Sequence, residues 1–173
     1  MSCGFVLNKT HSGFTLVELM VTIAVVAIVA TIAVPSFNGL VQGNRLSGAT
    51  NQLVSAFHLA RSEAIKRSQN VSLCATSDGI NCTPRADWNS WLVLAGNEVI
   101  LQGRVSSGLN VAGPANTNII FSSAGLVRDN AGAGLSSSLQ VCSTSGALTE
   151  NTRTMNFVAG GSISINKGVS TCG

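Results

Sequence analysis

The sequence contains no tyrosine, three prolines and two histidines, and 10% of its residues are charged, well below the ~25% usual for soluble domains. So little charge beside 45% hydrophobic residues excludes disorder for most of the chain. No G-x-S-x-G, H-E-x-x-H or P-loop sequence occurs, and past the first segment His58 is the only imidazole. Hydrolase, zinc-peptidase and nucleotide chemistry therefore lack their parts, and neither an enzyme nor a cofactor is expected. Ten Lys plus Arg against seven Asp plus Glu leave a net charge of +3, too small to mark a nucleic-acid binder. With 173 residues there is no room for a TIM barrel or a two-domain enzyme, but enough for one globular unit with an appendage.

What the chain does have is one long apolar run. Phe14 to Val34 reads FTLVELMVTIAVVAIVATIAV, with Glu18 its only charge. As a helix rising ~1.5 Å per residue it spans about 31 Å, the thickness of a bilayer's hydrocarbon core. Its twelve Phe, Leu, Ile and Val residues favour insertion by about 5 kcal/mol in all, against at most ~3 for the carboxylate. Lys9 precedes the run with no acid before it, so the start of the chain stays in the cytoplasm and the remainder crosses the membrane. A cleaved secretory signal fits poorly, because its apolar region runs ~7–15 residues and ends at a small-residue site absent here. A plain anchor explains the length but not Glu18, since a carboxylate in lipid marks function and needs a partner.

The stretch Thr10-His11-Ser12-Gly13-Phe14-Thr15-Leu16-Val17-Glu18-Leu19 resembles the leader and mature start of type IV pilins and type II secretion pseudopilins. The resemblance implies that prepilin peptidase cleaves between Gly13 and Phe14 and that the new amino group of Phe14 is methylated. A mature chain of 160 residues would remain, the 173 less the 13 of the leader. Glu18 becomes the fifth mature residue, where the family carries its assembly glutamate. In lipid its carboxylate is expected to pair with the α-amino group of Phe14, its own or a neighbour's, fixing the register of one stem against the next.

Pro35 ends the apolar run and is expected to kink or break the helix, which then resumes. From about Phe37 to Arg67, Leu46, Thr50, Leu53, Phe57, Ala60 and Ala64 recur every three or four residues, one stripe destined for a core. Arg61 is expected to serve the helix dipole and, like Glu63, to be mostly solvated. His58 is read as structural or surface. Beyond Gln69 the period changes to two. Eight short strands are expected, at 71–74, 91–94, 98–101, 109–111, 118–121, 139–142, 154–157 and 162–165. The fold class is thus α+β, a long N-terminal helix packed on antiparallel sheet. Residues 1–13 form the leader, 14–35 the transmembrane and assembly helix, 36–68 the amphipathic helix and 69–173 a β-rich head. Asn130 to Ser138 is the best candidate for a mobile loop.

Cys3 leaves with the leader, and the remaining four cysteines sit in a head facing an oxidising compartment, which favours disulfides although three pairings are open. Cys74–Cys82, closing a short loop, and Cys142–Cys172, tying down the carboxyl end, are the preferred pairs. Zinc is the rival, but C-x7-C without a nearby histidine has poor ligand spacing, and no metal is expected.

Ala60-Arg61-Ser62-Glu63-Ala64-Ile65 is similar to a stretch common in minor pilins of the GspH/FimT type. The resemblance spans nearly the whole mature chain and implies the type IV pilin fold. Partners would be other major and minor pilins, and location the inner membrane with the head in the periplasm, then the extracellular pilus. Within the group, members of the FimU sort help to initiate assembly and sit at the tip. Members of the FimT sort are associated with DNA uptake in natural transformation and carry a late G-R-x-R motif. The comparable Gly160-Gly161-Ser162-Ile163-Ser164 has no arginine, and the basic residues beyond Lys66 are scattered. DNA contact near Arg128, Arg153 and Lys167 is therefore the lesser reading, and a type II secretion pseudopilin the third.

Overall fold

Thr15 opens a helix of 52 residues, α1 (Leu16–Arg67). The computed structural model describes residues 13–172; the earlier leader positions, including Cys3 and Lys9, lie outside them. The chain divides into two compact units, the first ending at Phe37 and the second starting at Asn38. Helical hydrogen bonding continues across Pro35 rather than breaking there. Proline withdraws a single N–H from the helix ladder, and the bonds on either side suffice to carry the helix on.

In the second unit, Leu46, Ala49, Thr50, Leu53, Ala56, Phe57, Ala60 and Ala64 form the buried stripe of α1. The Thr50 hydroxyl donates to the Leu46 carbonyl at 2.8 Å, so the one polar member of the stripe is satisfied within the helix. At the far end Ser68 adopts φ +52°, and its N–H and that of Gln69 donate to the carbonyls of Ile65 and Ala64. This is the left-handed stop that usually carries glycine.

Nine strands follow: β1 (Val71–Ala75), β2 (Ser90–Ala95), β3 (Glu98–Arg104), β4 (Leu109–Ala112), β5 (Ile119–Phe121), β6 (Val127–Arg128), β7 (Ser137–Ser143), β8 (Thr152–Phe157) and β9 (Ile163–Gly168). They build a five-stranded sheet in the order β3-β2-β1-β5-β6 and a four-stranded sheet in the order β4-β7-β8-β9. All the pairings are antiparallel. Gly96, at φ +58°, and Asn97 make the two-residue turn between β2 and β3, with Ala95 opposite Glu98. A glycine in the first turn position is what a tight hairpin demands.

β6 was not expected from the sequence; two residues are too few to show a period. The stretch read as a mobile loop ends in strand. Ser137 and Ser138 already belong to β7, paired with Phe157 and Asn156 of β8. Ahead of them the Asp129 carboxylate accepts N–H bonds from Ala131 and Ala133 at 2.9 and 2.8 Å. Serine's weak preference for strands yields here to the ladder that β8 offers.

Phe57 ties the three layers together. Its ring centroid lies 4.6 Å from that of Phe121 in β5 and 5.5 Å from that of Phe157 in β8. One helical side chain thus contacts both sheets, and all three rings are fully buried or nearly so. Disulfides join Cys74 to Cys82 and Cys142 to Cys172, with Cα separations of 5.5 and 5.7 Å. The second is reinforced by Asn151, whose amide donates to the Ser170 carbonyl at 2.8 Å and accepts the Ser170 N–H at 3.0 Å.

Candidate functional site

The described part of the first unit is a bare apolar rod. From Leu16 to Val34 its large hydrophobic side chains are all exposed, and the helix is long and apolar enough to cross a membrane. Phe14 is exposed at 83%. Lipid or similar stems must cover such a surface. Two of its polar groups are silenced locally, because the hydroxyls of Thr22 and Thr31 donate to the carbonyls of Leu19 and Ile28 at 2.8 and 2.7 Å, as polar groups in hydrocarbon must. Glu18 remains the one charge. Its backbone N–H donates to Thr15 Oγ1 at 3.2 Å, which makes Thr15 the helix N-cap. The spacing Thr15-x-x-Glu18 is that of a capping box, a signal present in the sequence that points to Thr15 as a residue fixing where Glu18 sits. The carboxylate falls in the first turn of α1, where the helix dipole favours a negative charge.

In the head, Arg61 is redirected. Instead of serving the helix end, its guanidinium donates to the carbonyls of Gly161 and Gly160 at 3.2 and 3.4 Å. Gly161 has φ +79°, and a Cβ there would meet the guanidinium at 2.8 Å. The Gly160-Gly161 turn, without an arginine in its own sequence, receives one from α1. Glu63 is not solvated either, with 13% side-chain exposure. It accepts from Arg67 Nε at 2.6 Å, and Arg67 also bonds Glu98 at the start of β3. The expectation failed because Arg61 is claimed by the Gly160-Gly161 turn and Arg67, which covers Glu63, by Glu98 of β3, partners distant in sequence.

Arg67 holds the carboxyls of Glu63 and Glu98 below the ordinary carboxylate range, and they in turn hold its guanidinium proton more firmly. Asp78, inside the Cys74–Cys82 loop, lies well below that range because the backbone N–H and side-chain amide of Asn81 and the N–H of Ile80 all donate to it. A carboxyl whose folded value is depressed stabilises the fold fully above its unfolded value near ~4 and loses that stabilisation as pH falls through the folded value. The melting temperature should stay flat from about pH 7 to 4.5 and drop below. Asp78→Asn should lower it at neutral pH and flatten the acid limb; an unchanged profile by circular dichroism would remove Asp78 from the account.

Of the three candidate DNA contacts, two come together. Arg153 lies opposite Lys167 in the β8–β9 ladder. Arg128 belongs to the other sheet, where it donates to the Gly132 carbonyl at 2.7 Å. Arg153 itself donates to the carbonyls of Glu150 and Thr152 at 3.2 and 2.7 Å. His58 is exposed and meets the Phe57 ring edge-on at 6.2 Å. No group of His, Cys, Asp and Glu among the described residues is arranged to hold a metal.

Comparison with known proteins finds the family described as type II transport protein GspH over residues 49–161 and the prokaryotic N-terminal methylation motif over residues 8–34. Two fimbrial proteins of Pseudomonas aeruginosa are each 34% identical over 68 residues, 39% of this chain and 44% of theirs. The match therefore spans less than half the length of those relatives. The head's fold is similar to that of the type IV minor pilin FimU of Pseudomonas aeruginosa, with a TM-score of 0.53 and 17% identity over 73% of this chain and 92% of that one. It is also similar to the minor pseudopilin EpsH of the Vibrio cholerae type 2 secretion system, with a TM-score of 0.50 and 12% identity over 71% of this chain and 97% of that one.

Proposed function

The chain belongs to the GspH family and carries the methylation motif of pilins and pseudopilins, and on that premise we propose that it is a minor pilin built into type IV pili, where it helps to initiate assembly and sits at or near the tip. Proteins of this family are structural subunits rather than enzymes. The supporting observation is the exposed stem with a single carboxylate in its first turn. In this reading, prepilin peptidase cuts after Gly13 and Phe14 is methylated. The stem then waits in the inner membrane with the head in the periplasm, and assembly transfers it from lipid into a bundle of like stems. Helix packing replaces lipid contacts, and Glu18 facing the Phe14 amine sets the register.

The similarity to fimbrial proteins and the two disulfides favour an exposed pilus over a secretion pseudopilus. Deleting the gene and counting surface pili tests the proposal. Loss of pili supports it; normal pili with lost protein secretion or lost transformation supports one of the other two roles. The DNA reading has one feature in its favour, the pairing of Arg153 with Lys167. Two phosphate contacts are few for a DNA binder, since affinity and its salt dependence both scale with their number. A gel shift of the full chain in detergent at low salt is expected to show no retarded band.

A further inference from the structure

The described sheets have four edges, two of them covered. Along β4, Trp88 N–H donates to the Val111 carbonyl and Gly113 N–H to the Ala86 carbonyl. Along β6, Val127 donates to the Ala159 carbonyl and accepts from Leu135 N–H. No backbone bond among the described residues covers the outer side of β3 or of β9. An uncovered edge is a row of unpaired amides and carbonyls, a template for another strand.

β3 differs from β9 in what lies beside it. Between β3 and α1 runs a groove of about 500 Å³, walled on the helix side by Asn51, Gln52 and Ser55 and floored by Trp91 and Leu101. The Trp91 indole occupies the space that a Cβ on Gly103 would need, so the groove's floor depends on that glycine. Trp91 is 3% exposed, yet its Nε1–H has no acceptor among the described residues. A buried donor without a partner is a standing cost that an incoming acceptor would relieve. The charges are uneven too. Glu98 at the start of β3 is taken by Arg67, whereas Arg104 at its end is exposed and makes no ion pair among the described residues.

We propose that this groove receives an extended segment of another pilin subunit, which adds to β3 as a further strand, sets a carbonyl against the Trp91 indole N–H and brings an acidic side chain or terminal carboxylate to Arg104. Only a polypeptide repeats amides at the spacing of a strand edge, and a slot between a helix and an edge strand is a recurrent setting for strand addition. The uncharged amide and hydroxyl wall of α1 can bond the segment's outer face, and the unmatched Arg104 selects for negative charge. The inference rests on the chain being a filament subunit.

The test places the photocrosslinking residue p-benzoylphenylalanine at Gln52 of the full chain and irradiates intact filaments, with yield scored per copy of the chain in the filament fraction. The expected product joins Gln52 to one short segment of a neighbouring head that carries Asp, Glu or the carboxyl terminus. Arg104→Glu should lower the yield about fivefold or more, and Arg104→Lys should keep most of it. Trp91→Phe, which keeps an aromatic side chain but loses the donor, should lower it severalfold. Crosslinks only to stem helices or lipid, or a wild-type yield from Arg104→Glu, overturn the inference. A chain present in filaments without a crosslink sinks the groove and leaves the pilin reading standing.

Discussion

Glu18→Ala is expected to enter the membrane and lose its leader normally, yet to fall about tenfold or more in sheared filaments relative to the membrane fraction, a difference of about 1.4 kcal/mol. Removing the carboxylate takes away the only charge in the stem, so insertion becomes easier. The proposed cut between Gly13 and Phe14 lies outside α1. Docking is the step that suffers. In the proposed filament a processed Phe14 would carry an amine into an apolar bundle, and without Glu18 that amine would lose its partner, a penalty of several kcal/mol for an ion after relaxation. Immunoblots of both fractions with amino-terminal sequencing separate insertion, processing and incorporation. A wild-type ratio of filament to membrane signal would refute the assigned role. Thr15→Val, which removes the N-cap but keeps the charge, should reduce incorporation by less, since an N-cap contributes about 1 kcal/mol.

Phe57→Ala is expected to cost about 3–5 kcal/mol of head stability, a large share of the 5–15 kcal/mol of a typical domain. The ring is completely buried and lies against Phe121 of one sheet and Phe157 of the other. Its loss opens a void at the junction of three elements, where collapse of one wall cannot close it. Phe57→Leu should cost less than half as much, because most of the volume remains. Urea unfolding of the full chain in detergent, followed by tryptophan fluorescence, gives both values. A cost below about 1 kcal/mol for Phe57→Ala would show that the sheets hold together without it.

What the sequence disclosed depended on the range of the interaction that fixes each feature. The buried stripe of α1 is a local period, so Leu46, Leu53, Phe57 and Ala64 were recognisable without a structure. The same holds for strands such as Leu139–Cys142 and Thr154–Phe157, where alternation mirrors the two faces of a sheet. Arg61 and Gly161 lie 100 residues apart, and no spacing rule links them. Trp91 and Gly103 meet only through the β2–β3 register, where they are Cα partners. The groove beside β3 was invisible for the same reason, since its walls come from separate elements. Thr15 is the contrary case, a motif written plainly in four residues, and it becomes informative only as the start of a helix.

The inward-turned hydroxyls of Thr22 and Thr31 leave the membrane rod with a smooth coat and a single catch near its end. Set among its fellows in the proposed filament, such a rod would be arrested along its length by the catch, with no second polar group on its coat to fix its rotation. The rise per subunit would then be written into the stem, and the azimuth at which each head faces outward would be decided by the heads alone.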